Sequence, residues 1–297
     1  MDKADGIAKR FDGLGVWARG DQRAPHKPLL VLIALARMQN RNLEDMLFAE
    51  LEPQLSILLR EFGPPRLSVH PEYPFWRLQQ DGIWTVSADG PMESRKSNTD
   101  PKKSELIRCQ AKGGFTKDIK ESLTHDRELI SKIAVMLLDK HFPQSIHRDI
   151  LSSVGISTDL ESSQRRDPRF RQRVLTAYEY RCAICGFDLR LGSISMGLDA
   201  AHIRWHQAGG PSDESNGLAL CVMHHKAFDL GAFTIRPDGI LLVSDQVNGT
   251  TGMQDHLLAF HGRLIRRPQK PKWAPLVQHI AWHFREVFRG DARHLPD

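Results

Sequence analysis

Four residues in the second half of the chain have the types and spacing of metal ligands. Cys182 and Cys185 are separated by two residues, and Cys221 and His224 repeat that spacing. Each pair can hold a metal from one tight turn, and thiolates with imidazole are ligands that tetrahedral Zn²⁺ takes in closed sites. We therefore predict a structural zinc ion. Because four protein ligands satisfy it, this ion leaves no open position for chemistry.

A second set of polar residues is interleaved with the zinc ligands. It contains His202, Asn216 and His225, with Asp229 four residues after His225 and Asp199 shortly before His202. A histidine can accept a proton near neutral pH, and residues four apart on a helix share one face. If the chain catalyses a reaction, we expect it to occur at this second set.

The sequence words "CAIC", "DAAHI", "NGLALC" and "MHHKAFD" resemble the HNH endonucleases with the ββα-metal fold, in the subgroup pinned by a zinc knuckle. The resemblance implies that His202 is the general base and that His225 binds a catalytic divalent cation, Mg²⁺ or Mn²⁺. It gives Asp229 and Asp199 as further candidate ligands. Asn216 would orient the site, either by hydrogen bonding across the loop or by touching the metal. Such a site supplies the base and the metal that DNA hydrolysis needs.

Bulk properties set the class of protein. The chain has 297 residues, of which 40% are hydrophobic and 26% charged, and this predicts about two globular domains. No apolar run approaches the ~20 residues of a membrane span, and the first residues lack an apolar signal segment. Four cysteines, three of them with metal spacing, suit a reducing compartment. We therefore expect a cytoplasmic protein without membrane contact.

The net charge of +5 is placed unevenly, with +1 in residues 1–160 and +4 in residues 161–297. Arginines cluster just before the zinc knuckle, at Arg165, Arg166, Arg169, Arg171, Arg173 and Arg181. A basic segment can contact phosphates without distinguishing bases, which favours double-stranded DNA as the partner. A solvated helix face is the alternative interpretation of the same residues.

The first half of the chain predicts a helical domain. The apolar run 29–38 indicates a buried helix with Pro28 in its first turn. His26 and Lys27 then lie at the helix N-terminus, where unpaired amides and the helix dipole favour an anion. We predict a β-hairpin with strands at 75–78 and 83–86, and a glycine turn at 112–116.

This half resembles the sulfur-binding domain of HNH restriction enzymes that recognise phosphorothioate-modified DNA. The matching words are "APHKPLLVLIAL", "YPFWRLQQDGIW" and "GGFT", together with the order of domains. The resemblance implies that His26 and Lys27 sit against the DNA backbone, while Tyr73 and Pro74 wall an apolar pocket for sulfur with Arg77 at its rim. Arg23 is a further candidate for contact with DNA.

The chemistry of a phosphorothioate is consistent with such a pocket. Sulfur in place of a non-bridging oxygen makes that face of the phosphate larger and less hydrated. An apolar concavity therefore loses little by desolvating it, but would penalise a well-hydrated oxygen. A nearby cation keeps the phosphate charge paired.

Together these observations predict an α+β protein. A mostly helical DNA-recognition domain with a small hairpin would occupy residues 1–145, a linker 146–164, and a ββα-metal HNH domain with structural zinc 165–297. The predicted function is a modification-dependent, type IV-like restriction endonuclease for phosphorothioate-modified DNA. Double-strand cleavage from one HNH site per chain would require two chains acting together as a homodimer. Two alternatives stay open: an HNH endonuclease for methylated bases, and a zinc-stapled DNA-binding protein that does not cleave.

Overall fold

The computed structural model describes residues 3–16, 21–93, 99–157 and 168–295. The chain divides into two compact units, Met1–Ser163 and Gln164–Asp297. Residues 158–164 of the predicted linker lie outside the described residues. Across the described parts of the chain, every helix is too short or too polar to cross a membrane.

The first unit is built around one buried helix. Its elements are α1 (Lys3–Asp12), α2 (His26–Gln39), β1 (Met46–Leu47), α3 (Phe48–Phe62), α4 (Glu72–Arg77), β2 (Trp84–Ser87), α5 (Lys103–Arg108), β3 (Lys112–Phe115), α6 (Lys117–His125), α7 (Arg127–His141) and α8 (His147–Val154). Helix α2 is buried from Pro28 to Ala36 and packs against α3, α4, α6, α7 and α8. The prediction of a buried helix is confirmed, and its first turn carries His26 and Lys27.

The stretch predicted as a β-hairpin begins with a helix, so that prediction is wrong. Residues 72–77 form α4, a short 3₁₀ turn follows, and β2 pairs with the distant strand β3. Pro74 lies in the first turn of α4, where its missing N–H costs nothing. The strand preference of the aromatic run is overridden because Phe75 packs against Phe48 at a ring distance of 4.8 Å and also contacts Trp84.

The glycines predicted as a turn instead occupy the middle strand of a three-stranded sheet with the order β1-β3-β2. A Cβ atom on Gly113 would lie 2.6 Å from the Phe75 ring, and one on Gly114 would lie 1.9 Å from a carboxylate oxygen of Asp45. The glycines therefore allow neighbouring groups to approach a strand closely.

Helix α8 falls in residues that the sequence assigned to the linker. Ile150 and Val154 are buried, and α8 packs against α2 and α3. Gly155 ends the helix with φ of 77°, a left-handed conformation that glycine adopts without strain. The packed part of the first unit thus continues past 146, because two apolar residues within a serine-rich segment suffice to dock one short helix.

The second unit contains the predicted ββα arrangement. Its elements are α9 (Pro168–Ala177), β4 (Arg190–Leu191), β5 (Ile194–Ser195), β6 (Leu198–His202), β7 (Gly217–Cys221), α10 (Val222–Asp229), β8 (Phe233–Ile235), β9 (Leu241–Val243), α11 (Thr251–His256) and α12 (Val277–Glu286). Strands β6 and β7 pair antiparallel with His202 opposite Gly217, and both contact α9 and α10. Helix α12 packs on β8 and buries His283 and Glu286, whereas Phe284 is 51% exposed.

Candidate functional site

The four predicted zinc ligands come together from three elements. Cys182 and Cys185 lie in a turn after α9, Cys221 ends β7, and His224 lies in the first turn of α10. Their ligand atoms all lie within 4.8 Å of one another, and Nδ1 of His224 is 3.7 Å from the sulfur of Cys182 and 3.1 Å from that of Cys221. Sulfur and nitrogen ligands of a tetrahedral zinc ion lie about 3.6 Å apart, so the four residues fit zinc.

The second nitrogen of His224 supports the same assignment. Nε2 lies 2.7 Å from the carbonyl oxygen of His256, which places the ring proton on Nε2 and leaves Nδ1 facing the sulfurs. Hydrogen bonds with Cys185 and Cys221 lower the pKa of Cys182, whereas hydrogen bonds with Cys182 and Cys185 raise the pKa of Cys221. A metal ion would hold all of these sulfurs as thiolates, so it is the close grouping of the ligand atoms that fits zinc.

His202 lies at the end of β6 with its ring held from two sides. The ring stacks on Phe170 of α9, with centroids 3.9 Å apart and planes inclined by 16°. Its Nε2 lies 3.3 Å from the hydroxyl oxygen of Ser212. Sequence reasoning did not identify Phe170 or Ser212 as a neighbour of His202. These contacts fix the orientation of the imidazole.

Asn216 is fully buried, and its side chain bonds to backbone groups of the loop between β6 and β7. Its Oδ1 accepts a hydrogen bond from the N–H of Arg204 at 2.8 Å. Its Nδ2 donates to the carbonyl oxygens of Arg204 at 2.9 Å and Pro211 at 2.8 Å. Of the two roles expected for Asn216, these contacts support closing the loop.

His225 lies between two carboxylates. Its Nδ1 is 3.4 Å from Asp199 and its Nε2 is 3.1 Å from Asp229. Burial acts to lower the pKa of His225, but the charges of Asp229 and Asp199 outweigh it and raise the pKa to about 9. The structure therefore gathers these three predicted residues into one negatively charged cluster, which favours a cation.

The two carboxylates are not equivalent. A histidine offers a metal one ring nitrogen and donates the other N–H to a supporting group. Because Asp199 and Asp229 face opposite nitrogens, only one of them can share a metal with His225. The side chain of Asp229 is 2% exposed and that of Asp199 is 17% exposed, so Asp199 is the more accessible to a substrate.

The arginines predicted to contact phosphates divide into different groups. Arg171 donates to the carbonyl oxygen of Leu198 at 2.8 Å, and Arg173 lies 3.5 Å from Glu214 and donates to the Ser212 carbonyl. These two side chains tie α9 to the strands and loop of the site. Arg181 lies 3.6 Å from Asp188, whereas Arg165 and Arg166 lie outside the described residues.

In the first unit, two predicted sulfur-site residues, Tyr73 and His26, both interact with His70. Tyr73 is 38% exposed and stacks on His70, with ring centroids 4.6 Å apart and planes inclined by 12°. The side chain of His26 interacts electrostatically with Arg66, which is exposed, and with His70. Burial, assisted by the charge of Arg66, lowers the pKa of His26 to about 4, so His26 is neutral at neutral pH.

The other predicted sulfur-site residues contact protein groups. Lys27 pairs with Asp81 at 2.5 Å, and Nε of Arg77 lies 2.8 Å from an oxygen of Asp100. The guanidinium of Arg77 also lies 4.9 Å from the centre of the Tyr73 ring. Arg23 is buried and donates to the carbonyl oxygen of Phe62, and Pro74 is buried in α4. Sequence reasoning missed His70 and Arg66, although His70 stands three residues before Tyr73.

Two family models match the chain. Residues 4–159 match the model described as "ScoMcrA-like, DNA sulfur-binding domain". Residues 182–236 match the model of the HNH endonucleases. No curated protein matches the chain.

Several solved structures are similar to parts of the chain. One is a sulfur-binding domain of ScoMcrA complexed with phosphorothioated DNA, 20% identical, covering 50% of this chain and 94% of that one, with a TM-score of 0.43. The corresponding domain of SprMcrA is also 20% identical, covers 52% and 94%, and has a TM-score of 0.44. The modification-dependent TagI restriction endonuclease is 26% identical, covers 44% and 41%, and has a TM-score of 0.29.

Proposed function

This chain belongs to the family of proteins with a ScoMcrA-like DNA sulfur-binding domain, and from that membership we propose that it cleaves DNA in response to a phosphorothioate linkage. The family match, which spans more than half of the chain, confirms the predicted sulfur-binding domain. The match of residues 182–236 confirms the predicted HNH endonuclease, and with it the two-part α+β architecture. The presence of both domains in one chain is the observation that carries the proposal.

We assign recognition of sulfur to the cluster around Tyr73. The exposed part of Tyr73, held between the stacked ring of His70 and the guanidinium of Arg77, would offer an apolar wall for the sulfur atom. The neutral imidazole of His26 can donate to a phosphate oxygen, and Arg66 supplies positive charge nearby. Lys27, Arg77 and Arg23 position this cluster through their contacts with protein groups.

Substitution of Tyr73 tests the apolar wall. Burying roughly 50 Å² of sulfur surface at about 25 cal/mol per Å² is worth about 1.3 kcal/mol, or close to tenfold in affinity. Tyr73→Ala should therefore lower the preference for a phosphorothioate duplex over its oxygen counterpart about tenfold, measured by fluorescence anisotropy. Tyr73→Phe, the matched control, keeps the ring and should keep the preference. Unchanged preference in Tyr73→Ala would remove Tyr73 from the pocket.

The second unit would perform hydrolysis. A divalent cation, Mg²⁺ or Mn²⁺, when bound neutralises charge on the scissile phosphate. Asp199 and Nδ1 of His225 would hold it, and Asp229 would fix the imidazole through Nε2. His202, oriented by Phe170 and Ser212, would accept the proton of the attacking water.

Carboxylate substitutions distinguish the two aspartates. Asp199→Asn removes a proposed metal ligand and should abolish cleavage at ordinary Mg²⁺ concentrations. Asp229→Asn removes only the support of the ring and should weaken metal affinity about 10–100-fold, with activity recovered at high Mg²⁺. Recovery in Asp199→Asn but not in Asp229→Asn would reverse these assignments.

Cleavage of plasmid DNA tests the function as a whole. The chain should cut plasmid carrying phosphorothioate linkages and leave an otherwise identical unmodified plasmid intact, and His202→Ala should cut neither. Equal cutting of both plasmids would refute sulfur dependence. Cutting by His202→Ala equal to wild type would instead refute the assignment of the general base.

The remaining parts of the proposal follow from this function. Cys182, Cys185, Cys221 and His224 would hold a structural zinc ion. Double-stranded DNA is the partner, and we propose that two chains act together for double-strand cleavage, since each carries one HNH site. A nuclease directed at DNA in a reducing compartment would work in the cytoplasm. No contact in the described residues favours the methylated-base alternative.

A further inference from the structure

A segment of the second unit carries most of its exposed positive charge. Between Asp255 and Glu286 the sequence has six Lys and Arg residues and neither Asp nor Glu. Five of the six lie in residues 263–272, the basic strap, and all five are exposed: Arg263, Arg266, Arg267, Lys270 and Lys272. This segment accounts for the positive balance of the second unit.

The strap is irregular in structure but firmly attached. The N–H of Leu241 donates to the carbonyl of Arg263 at 2.9 Å, and the N–H of Arg266 donates to Ala183, inside the zinc knuckle, at 2.8 Å. The N–H of Gln269 donates to Ala177 at the end of α9, also at 2.8 Å. Pro268 and Pro271 further restrict the backbone. Cations held on a fixed backbone lose less freedom on binding.

Few carboxylates neutralise these cations. Arg266 lies 3.8 Å from Glu179, in a pair exposed on both sides. Within the part of the chain that the structure describes, Arg263, Arg267 and Lys272 make no ion pair. By contrast, Arg171 and Arg173 of α9 are engaged within the unit. The positive field of the strap is therefore directed to the solvent.

The shape of this surface suits a polyanion. The strap and the turn at Pro237–Gly239 line a cleft of about 330 Å³, with Arg266 and Arg267 on its wall. The wall also carries Asp238, which pairs with Arg236, so Arg266 and Arg267 give the lining a net positive charge.

We propose that the basic strap is a contact surface for the phosphate backbone of duplex DNA, distinct from the cluster that recognises sulfur. The proposal rests on the proposed function, which supplies the duplex. Phosphate contacts carry no information about base sequence. Contacts made by the strap, in the second unit, also do not depend on the sulfur atom that the first unit would recognise. The strap would thus increase affinity for modified and unmodified DNA by the same factor.

The test removes strap charges from the full-length chain. The strap variant carries Arg263→Gln, Arg267→Gln and Lys272→Gln. The control variant carries Arg190→Gln, Arg285→Gln and Arg289→Gln, which make the same change in net charge in the same unit. Each control side chain contacts a protein group, namely the Tyr180 ring, the Glu286 carboxylate or the Leu230 carbonyl oxygen respectively. Circular dichroism and thermal unfolding are used to check that both variants fold.

Affinity for modified and unmodified duplexes is then measured between 50 and 200 mM salt. Each lost phosphate contact lowers the slope of log K against log salt by about 0.9, so the strap variant should lose about 2.7 from its slope on both duplexes. Affinity at 50 mM salt should fall equally for both, and the control variant should keep its slope. An unchanged slope in the strap variant, or an equal loss in both variants, overturns the proposal.

This comparison is separable from the test of sulfur dependence. If DNA binding does not depend on sulfur, the wild-type protein binds the modified and unmodified duplexes equally. The difference in salt slope between the strap and control variants is still measured on the unmodified duplex.

Discussion

Asn216 provides the sharpest test of how the nuclease site is held together. Its buried side chain satisfies three backbone groups, namely the N–H of Arg204 and the carbonyls of Arg204 and Pro211. Asn216→Ala leaves all three without that partner. At about 1 kcal/mol for each group, the low end for partly buried positions, the loss of stability is about 3 kcal/mol. For a unit of this size, each kcal/mol lowers Tm by about 4 °C, giving about 12 °C.

The assay is thermal unfolding of the full-length chain. The transition of the second unit is identified by its sensitivity to zinc chelation. Asn248→Ala is the matched control, because Asn248 is exposed and makes only a long contact of 3.5 Å with the Gln246 carbonyl. This control should lose less than about 0.5 kcal/mol. Asn216→Asp should also be destabilised at neutral pH, since one carboxylate oxygen would face two carbonyl oxygens, and should recover partly when acid protonates it.

Activity separates the two roles first expected for Asn216. If it holds the loop, kcat falls in Asn216→Ala at temperatures where the variant is folded, while the Mg²⁺ concentration for half-maximal activity is unchanged. A Tm loss no larger than that of Asn248→Ala would refute the structural reasoning. A Mg²⁺ requirement raised tenfold or more would show instead that Asn216 touches the metal.

Three further predictions concern the two scaffolds. Cys221→Ser should unfold the second unit and abolish stoichiometric zinc, measured by metal analysis and circular dichroism, because structural zinc contributes about 10–16 kcal/mol in small domains. Gly113→Ala should destabilise the first unit by about 1–3 kcal/mol, measured by urea unfolding, because its methyl group would lie 2.6 Å from the Phe75 ring. Gly6→Ala is the control and should not destabilise the unit, because the space around Gly6 is open. The pKa of His26 falls from 6.5 to about 4 on folding, so protonation of His26 favours the unfolded chain. The contribution of neutral His26 to the free energy of unfolding is therefore fully present above pH 6.5 and is lost as the pH falls towards 4. His26→Gln should flatten that loss by up to about 1.4 kcal/mol per pH unit. Equal profiles for His26→Gln and wild type would contradict this.

Local patterns were sufficient where chemistry or periodicity is contained in a short segment. The spacing of the zinc ligands depends on two tight turns, so four distant residues could be grouped from the sequence alone. Helix α2 could be predicted because eight consecutive apolar residues, 29–36, bury themselves in any compact fold. The same reasoning applies to the ββα segment, where the motif words lie in the order of its two strands and helix.

Tertiary contacts decided the elements whose local signals were ambiguous. Residues 75–78 were predicted as a strand, but packing of Phe75 against Phe48 and Trp84 stabilises a helix over residues 72–77. The two glycines of β3 look like a turn, yet they are required because an aromatic ring and a carboxylate approach the strand. Neither neighbour is close in sequence.

The functional residues show the same division. The sequence motifs identified His202, Asn216 and His225, because the residue type alone fixes the chemistry available to each side chain. Only the folded chain decided that Asn216 binds loop backbone, that Asp199 and Asp229 face opposite nitrogens of His225, and that Lys27 and Arg77 pair with Asp81 and Asp100. Sequence states which charges a chain carries, but pairing depends on distances of a few ångströms between residues far apart along it. That is why the unpaired cations of the second unit could be located only once the fold was known.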